Sequence, residues 1–413
     1  MDYSNIKKYE GEVFSDKNSN EVNLDIIDNN ELQTLIEKTT ENGLETPVER
    51  YVKKREYWMD ALRVYANYLV VLTHTANTRS LKFGSKHYFI SVFYNCFSRT
   101  CVPLFIMISG ILFLNPKKEL SCKTMFSKYI FRIFKSYLFW TVYYNVFEEN
   151  IFKYIYNNKD FHNYKKTISS TILNTLVSNH NHLWYLNFVI GLYMVTPIIK
   201  KITPDRHITW YTCILFSIIS QLIPTLHTIF YDYLKIKEFK VITNYTKSLL
   251  VEISGSYIVY YLLGYLLNKE FSKKIYIYLS YIIGILGTLL TFALRCGYSL
   301  YLKRTDFYFV DFHCINVVME SIGTFVFFKY PVKKYIDKLI EYKSFKKVLI
   351  TLSDCSFGIY LLHYNIIRIL KQAIPNDTYN TLWWVPVSSF IIYFISFIII
   401  YFIRKISLFR EIT

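Results

Sequence analysis

An all-α fold, a polytopic membrane helix bundle of about ten transmembrane helices, is what this sequence predicts, and three observations predict it. Apolar runs long enough to cross a bilayer recur from residue 58 to residue 403. The chain is 52% hydrophobic, with 39 Tyr and 33 Phe against only 12 Gly and 9 Pro in 413 residues, a balance suited to long helices with aromatic belts at the membrane interfaces. Lysine and arginine gather in alternate connections between the runs instead of forming one patch. These features exclude a soluble globular domain.

Residues 1–50 stand apart. They carry 12 acidic against 5 basic side chains, no spanning segment and no apolar core of a signal peptide, which predicts an acidic, disordered cytoplasmic tail ahead of a membrane domain over 51–413. Within the tail, residues 31–41 fit a short amphipathic helix around Leu32, Leu35 and Ile36.

The first span, 58–78, is the most informative. It carries Asp60, Arg63, Asn67 and His74 inside a membrane-length apolar helix. At about 100° per residue these four share a sector of about 60°, and Arg63 and His74 lie about 16 Å apart along the axis. Charged groups in hydrocarbon are costly, so the stripe faces protein or a water-filled cavity and marks a functional site.

Further spans are expected at 88–114, 129–148, 183–199, 208–230, 250–268, 275–294, 312–329, 349–370 and 383–403. Basic clusters at Lys53–Arg55, Lys117–Lys128, Lys200–Arg206, Lys269–Lys274, Lys329–Lys347 and Arg404–Arg410 all fall on one side if ten helices alternate. The positive-inside rule then puts both termini in the cytoplasm of a multi-pass cell-membrane protein. The net charge of +17 is therefore a topology signal and not the footprint of a nucleic acid. Seven cysteines form no CxxC pair, and the closely spaced His180 and His182 have no cysteine or carboxylate cluster beside them, so no metal site is expected. Asn316 and Glu320, one turn apart in the eighth span, mark another buried polar spot, with packing and substrate contact both open.

Four segments carry further chemistry: SRTCVPLFIMISGILFL in the second span, FRIFKSYLFW in the third, HLWYLNFVIGLYMVTPI in the fourth and SFGIYLLHYNI in the ninth. Together with the Arg63–His74 pair, and in this order, they make the chain resemble acyltransferase family 3, over about residues 55–405. The resemblance implies transfer of an acyl group, expected to be acetyl, from acyl-CoA to a hydroxyl of a carbohydrate or lipid-linked glycan. It also implies roles. Arg63 and His74 would be catalytic, Phe105, Ser109 and Gly110 would match the second-span motif, and His363 would contact substrate. Lys135 stands where many relatives have a second arginine after Arg132, so a forked phosphate grip is not available at that position.

The residues bear on the same chemistry. Acyl transfer to an alcohol needs a base near neutral pH, a task that suits histidine, though His74 taken alone reads equally as a neutral histidine bonded to a neighbouring helix. Asp60 is too far along the helix to orient His74 and more plausibly pairs with Arg63. Coenzyme A is polyanionic and cytoplasmic, so Arg63, Arg132 and Lys135, near cytoplasmic helix ends, are the expected donor-binding cations. Both anchoring and phosphate binding fit Arg132 and Lys135. Trp184 and Tyr185 fit interface aromatics, and aromatic faces also stack on sugar rings; with His363 and Glu320, Trp184 completes the substrate-binding candidates. Ser109 and Gly110 fit close helix approach or a local unwinding. Two other classes share this membrane body: a transporter or flippase for a lipid-linked or small polar solute, and a non-catalytic partner in glycan synthesis. The sequence shows no internal repeat of the kind an inverted-repeat transporter has.

Overall fold

The computed structural model describes residues 55–76, 81–146, 182–248, 255–373 and 380–413. The expected tail, with its amphipathic segment, lies outside them. Among the described residues the protein is all-helical, with no strand. The helices are α1 (Tyr57–Thr75), α2 (Lys86–Phe97), α3 (Cys101–Phe113), α4 (Phe131–Val146), α5 (Trp184–Ile202), α6 (Arg206–Tyr233), α7 (Phe239–Ser248), α8 (Gly255–Asn268), α9 (Lys274–Leu302), α10 (Ile315–Phe327), α11 (Lys343–Ala373) and α12 (Thr381–Ile403). A π-helical turn, Met125–Ile130, leads into α4, and another, Phe328–Val332, carries α10 on into Lys333–Leu339.

Among the described residues six segments are long and apolar enough to cross a membrane: Lys86–Phe113, Trp184–Ile202, Arg206–Tyr233, Lys274–Leu302, Tyr308–Leu339 and Thr381–Ile403. The four other expected spans are also helical over their described residues. α1 misses that standard because it carries the polar stripe and α11 because Asp354, His363 and Asn365 interrupt its apolar run, while α4 and α8 are described over 16 and 14 residues.

Local sequence sets several helix starts. The hydroxyl of Ser85 accepts from the amide of Tyr88 at 3.1 Å, Asp205 accepts from His207 and Ile208, and Asn380 accepts from Leu382, each satisfying donors that a helix start leaves without partners. At its other end α9 stops on Lys303 at φ 53°, whose amide and that of Arg304 close back onto Leu300 and Ser299.

The second expected span, 88–114, is not one helix. It breaks at Ser98–Thr100 into α2 and α3. The break is not at Ser109–Gly110, where α3 is continuous. The Ser98 hydroxyl pairs with the Thr73 hydroxyl of α1 at 2.6 Å and donates to Asn95 O at 3.2 Å. Arg99 N and Cys101 N switch to tighter bonds onto Cys96 O and Ser98 O. Ser98 and Thr100 are buried, and irregular backbone at membrane depth is tolerated where protein encloses it.

Two close helix contacts fix the frame. A Cβ on Gly110 would lie 2.1 Å from Tyr261 O, and one on Gly264 would lie 2.0 Å from Met107 O, so α3 and α8 touch backbone to backbone. This is the close approach expected of the Ser109–Gly110 pair. Likewise a Cβ on Gly284 would meet the Cα of Gly323 at 2.6 Å, which seats α10 on α9 and brings Glu320 beside Gly287.

α1 runs through the middle. Its first half, with Trp58, Leu62 and Ala66, joins the apolar core built with α3, α8 and α10. Its second half, Leu69–Leu72, joins the core built with α4, α11 and α12. Both ends of the polar stripe are therefore held by other helices, as an intramembrane charge requires.

Candidate active site

The inner end of the stripe is an ion cluster. Arg63 Nη1 lies 3.3 Å from Asp60 Oδ1, the pairing that the spacing suggested. Ser353 of α11 joins them, donating to Asp60 Oδ1 at 2.7 Å and accepting from Arg63 Nη1 at 2.8 Å. A charge pair that also satisfies a hydroxyl recovers part of the cost of taking both ions out of water. One turn on, the side-chain amide of Asn67 donates to Ser356 O and fastens α1 to α11 a second time.

Around this end stand Tyr193 and Arg132. The Tyr193 phenol lies 3.4 Å from the Ser109 hydroxyl, and both Arg63 and Arg132 act on it electrostatically. The two arginines thus share one neighbourhood although they come from α1 and α4. Arg132 and Lys135 have intramolecular partners: Arg132 Nε donates to Glu411 O at 3.1 Å, and Lys135 Nζ pairs with the Glu411 carboxylate. That hydrogen bond from Lys135 holds the Glu411 carboxyl below the usual carboxylate range. Trp140 and Arg404 bond the next two carbonyls, Ile412 O and Thr413 O.

The outer end of the stripe is a histidine cluster. The His74 ring lies 5.3 Å from His363 and 5.9 Å from Tyr364, centroid to centroid. His182 completes the group, 5.7 Å from His363 and stacked on Tyr364 at 4.9 Å. Tyr144 packs against His182 at 4.6 Å and bonds Leu361 O, while the Tyr360 hydroxyl donates to His182 O.

The hydrogen bonds within this cluster distinguish its members. His363 is fully buried; its Nδ1 is 2.6 Å from Tyr360 O, so Nδ1 carries the proton and Nε2 is left as an acceptor with no partner among the described residues. His74 is half-buried and makes no hydrogen bond among the described residues. Arg99, His363 and Lys371 are the basic groups that act on it electrostatically.

Trp184 and Glu320 fall elsewhere. Trp184 is half-buried two residues beyond His182, stacked on Phe312 at 6.0 Å. Glu320 is buried between α9 and α10, bonded to Thr288 and within electrostatic reach of Arg99; it is not brought to His74. Its neighbour Asn316 donates to Thr291 Oγ1 at 2.8 Å and Phe309 O at 2.7 Å, so it serves packing.

Sequence reasoning missed three participants. Ser353 is one of several serines in a long helix and has no distinguishing neighbour. Arg99 is a lone cation in an apolar run, a signal of the same kind as Arg63, to which no role was given. His182 was weighed with His180 as a metal pair, and the bond from the Tyr360 hydroxyl to its carbonyl, with the packing of its ring, places it beside His363. Among the described residues no group of His, Cys, Asp or Glu side chains is placed to hold a metal ion.

A helical membrane bundle whose central helix carries a cation cluster at one end and an unbonded histidine at the other has the parts of a membrane acyltransferase. The family model for an acyltransferase domain, that of acyltransferase family 3, matches residues 56–403, and the chain belongs to this family. No curated protein and no solved structure matches it.

Proposed function

We propose that this multi-pass membrane acyltransferase moves an acyl group, expected to be acetyl, from acyl-CoA to a hydroxyl of a carbohydrate or lipid-linked glycan at the cell membrane, with His74 as general base. The observation that carries the reading is the state of His74: half-buried, unbonded at both ring nitrogens among the described residues, and packed on His363, at the opposite end of α1 from Arg63.

In the proposed reaction His74 takes the proton of the acceptor hydroxyl as its oxygen attacks the thioester carbonyl. The C–O bond forms, the C–S bond breaks, and the proton passes from His74 to the departing thiolate, leaving an ester and coenzyme A. Arg63 and Arg132, which share the surroundings of Tyr193, suit the polyanionic end of the donor, with Lys135 at the rim. About 16 Å separates Arg63 from His74 along the helix, a span that the pantetheine arm of coenzyme A bridges. A donor on the cytoplasmic side thereby serves an acceptor on the other.

The test is purified protein in lipid nanodiscs with acetyl-CoA and a glycan extract. Acceptor-dependent thiol release and a 42 Da mass increase on the glycan are expected. Absence of both, with solute counterflow in proteoliposomes, would transfer the assignment to a transporter.

A further inference from the structure

We infer that Arg99, Trp184 and Tyr257, grouped around Phe312, form the binding site for a pyranose ring of the acceptor; this rests on the glycan-acyltransferase reading for its purpose, though not for its chemistry. Four elements meet here: the α2–α3 break, the start of α5, the start of α8 and the turn ahead of α10. The Arg99 guanidinium lies 5.1 Å from the centre of the Phe312 ring, and its Nε donates to Val310 O. Trp184 stacks on the same phenyl at 6.0 Å and 27°, and Tyr257 packs against it at 6.3 Å. Phe188 and His313 enclose Tyr257 at 4.3 and 5.1 Å.

The polar tips of this group make no hydrogen bond among the described residues. Among the described residues no acceptor is bonded to the terminal nitrogens of Arg99 or to the indole N–H of Trp184, and the Tyr257 hydroxyl has no partner. All three residues are half-buried, so rings are held rigid by packing while donors are left unused. By contrast, the phenols of Tyr144, Tyr260, Tyr265, Tyr308 and Tyr360 are all bonded to carbonyls. Rigid aromatic faces beside unengaged N–H and O–H groups match a pyranose, which presents C–H faces to rings and hydroxyls to donors. Arg295 and Asp311 both act on Arg99 electrostatically, so charges of both signs stand beside the group. Asp311 is exposed and paired with His313, so it adds acceptor oxygens at the rim.

The group is joined to the proposed base. Thr73 and Ser98 are hydrogen-bonded, and the next residue of each pair is His74 and Arg99. On the other flank, Tyr185 follows Trp184 and packs on Tyr360, one turn before His363. A sugar seated on Trp184 and Arg99 would therefore have a hydroxyl within the histidine cluster's neighbourhood.

Saturation-transfer NMR on the full protein in nanodiscs, with the methyl glycosides of glucose, galactose and N-acetylglucosamine as probes, tests this. At least one glycoside should bind the wild-type protein. Arg99→Gln and Trp184→Leu should each weaken that binding tenfold or more, and Tyr257→Phe, which removes only a hydroxyl, should weaken it severalfold. If Arg99→Gln fails to fold, as circular dichroism would show, the other two variants decide. Failure of every glycoside to bind, or wild-type binding by the folded variants, overturns the inference. Glycoside binding without any coenzyme A release would sink the enzymatic reading and leave this site standing; coenzyme A release without glycoside binding would do the reverse.

Discussion

Replacing His74 by alanine separates stability from activity in a way the structure quantifies. The ring makes no hydrogen bond among the described residues, so its removal leaves no buried partner stranded; what is lost is packing against His363 and Tyr364. Two such ring contacts and a half-buried side chain are worth about 1–2 kcal/mol. Loss of a general base lowers turnover by roughly 10²–10⁴, or about 2.7–5.4 kcal/mol of barrier. The variant should therefore fold, insert and bind acyl-CoA while turning over at least a hundredfold more slowly. His74→Gln should do no better, since an amide does not take up the proton at neutral pH. Calorimetry would report donor affinity, a thiol reagent would report turnover, and a thermal melt would confirm the fold. A folded His74→Ala protein that acylates at near the wild-type rate would refute the assignment.

Other outcomes follow from the same geometry. Arg63→Ala should weaken donor binding and destabilise by about 1–3 kcal/mol, because the Asp60–Ser353 pair loses its cation; Arg63→Lys should restore folding better than affinity, as calorimetry and thermal melts would show. The Glu411 carboxylate occupies Lys135, so Glu411→Gln should raise acyl-CoA affinity if Lys135 serves the donor, and unchanged affinity would remove Lys135 from the site. Because the Glu411 carboxyl is held below its ordinary range, its ion pair should be fully formed above the ordinary carboxylate pKa and be lost only as pH falls through the depressed one; lowering pH from 7 to 6 should leave it intact, by NMR of the Lys135 side chain. Gly264→Ala should destabilise the bundle by about 1–3 kcal/mol or more, since the added methyl meets the Met107 backbone, and a thermal melt reads this directly. Reporters fused after Asn115 and Lys269 should be cytoplasmic and those after Asp160 and Pro375 external; opposite labelling at two of these positions would sink the ten-span topology.

The sequence by itself determined that this chain is a helical membrane protein, that the helix beginning near residue 57 carries a polar stripe, and that Asp60 and Arg63 belong together. These are properties of composition and helical period, which act over a few turns and are printed in the order of residues. It also carried the family, because the marks in α1, α3, α5 and α11 keep their order. What tertiary structure decided is everything that crosses between helices. Ser353 bridges Asp60 and Arg63 from 290 positions beyond Arg63, His363 packs on His74 with His182 packed on His363 in turn, and Arg99 leaves a broken helix to stand over Phe312. Even the break at Ser98 needed a partner, since a lone serine in an apolar run signals nothing until Thr73 of α1 is set against it. The physical reason is common to all of these. A helix satisfies its own backbone and reveals its faces through period, but which face meets which depends on close contacts such as Gly284 on Gly323 and Gly264 on Met107, and those exist only once the bundle has packed.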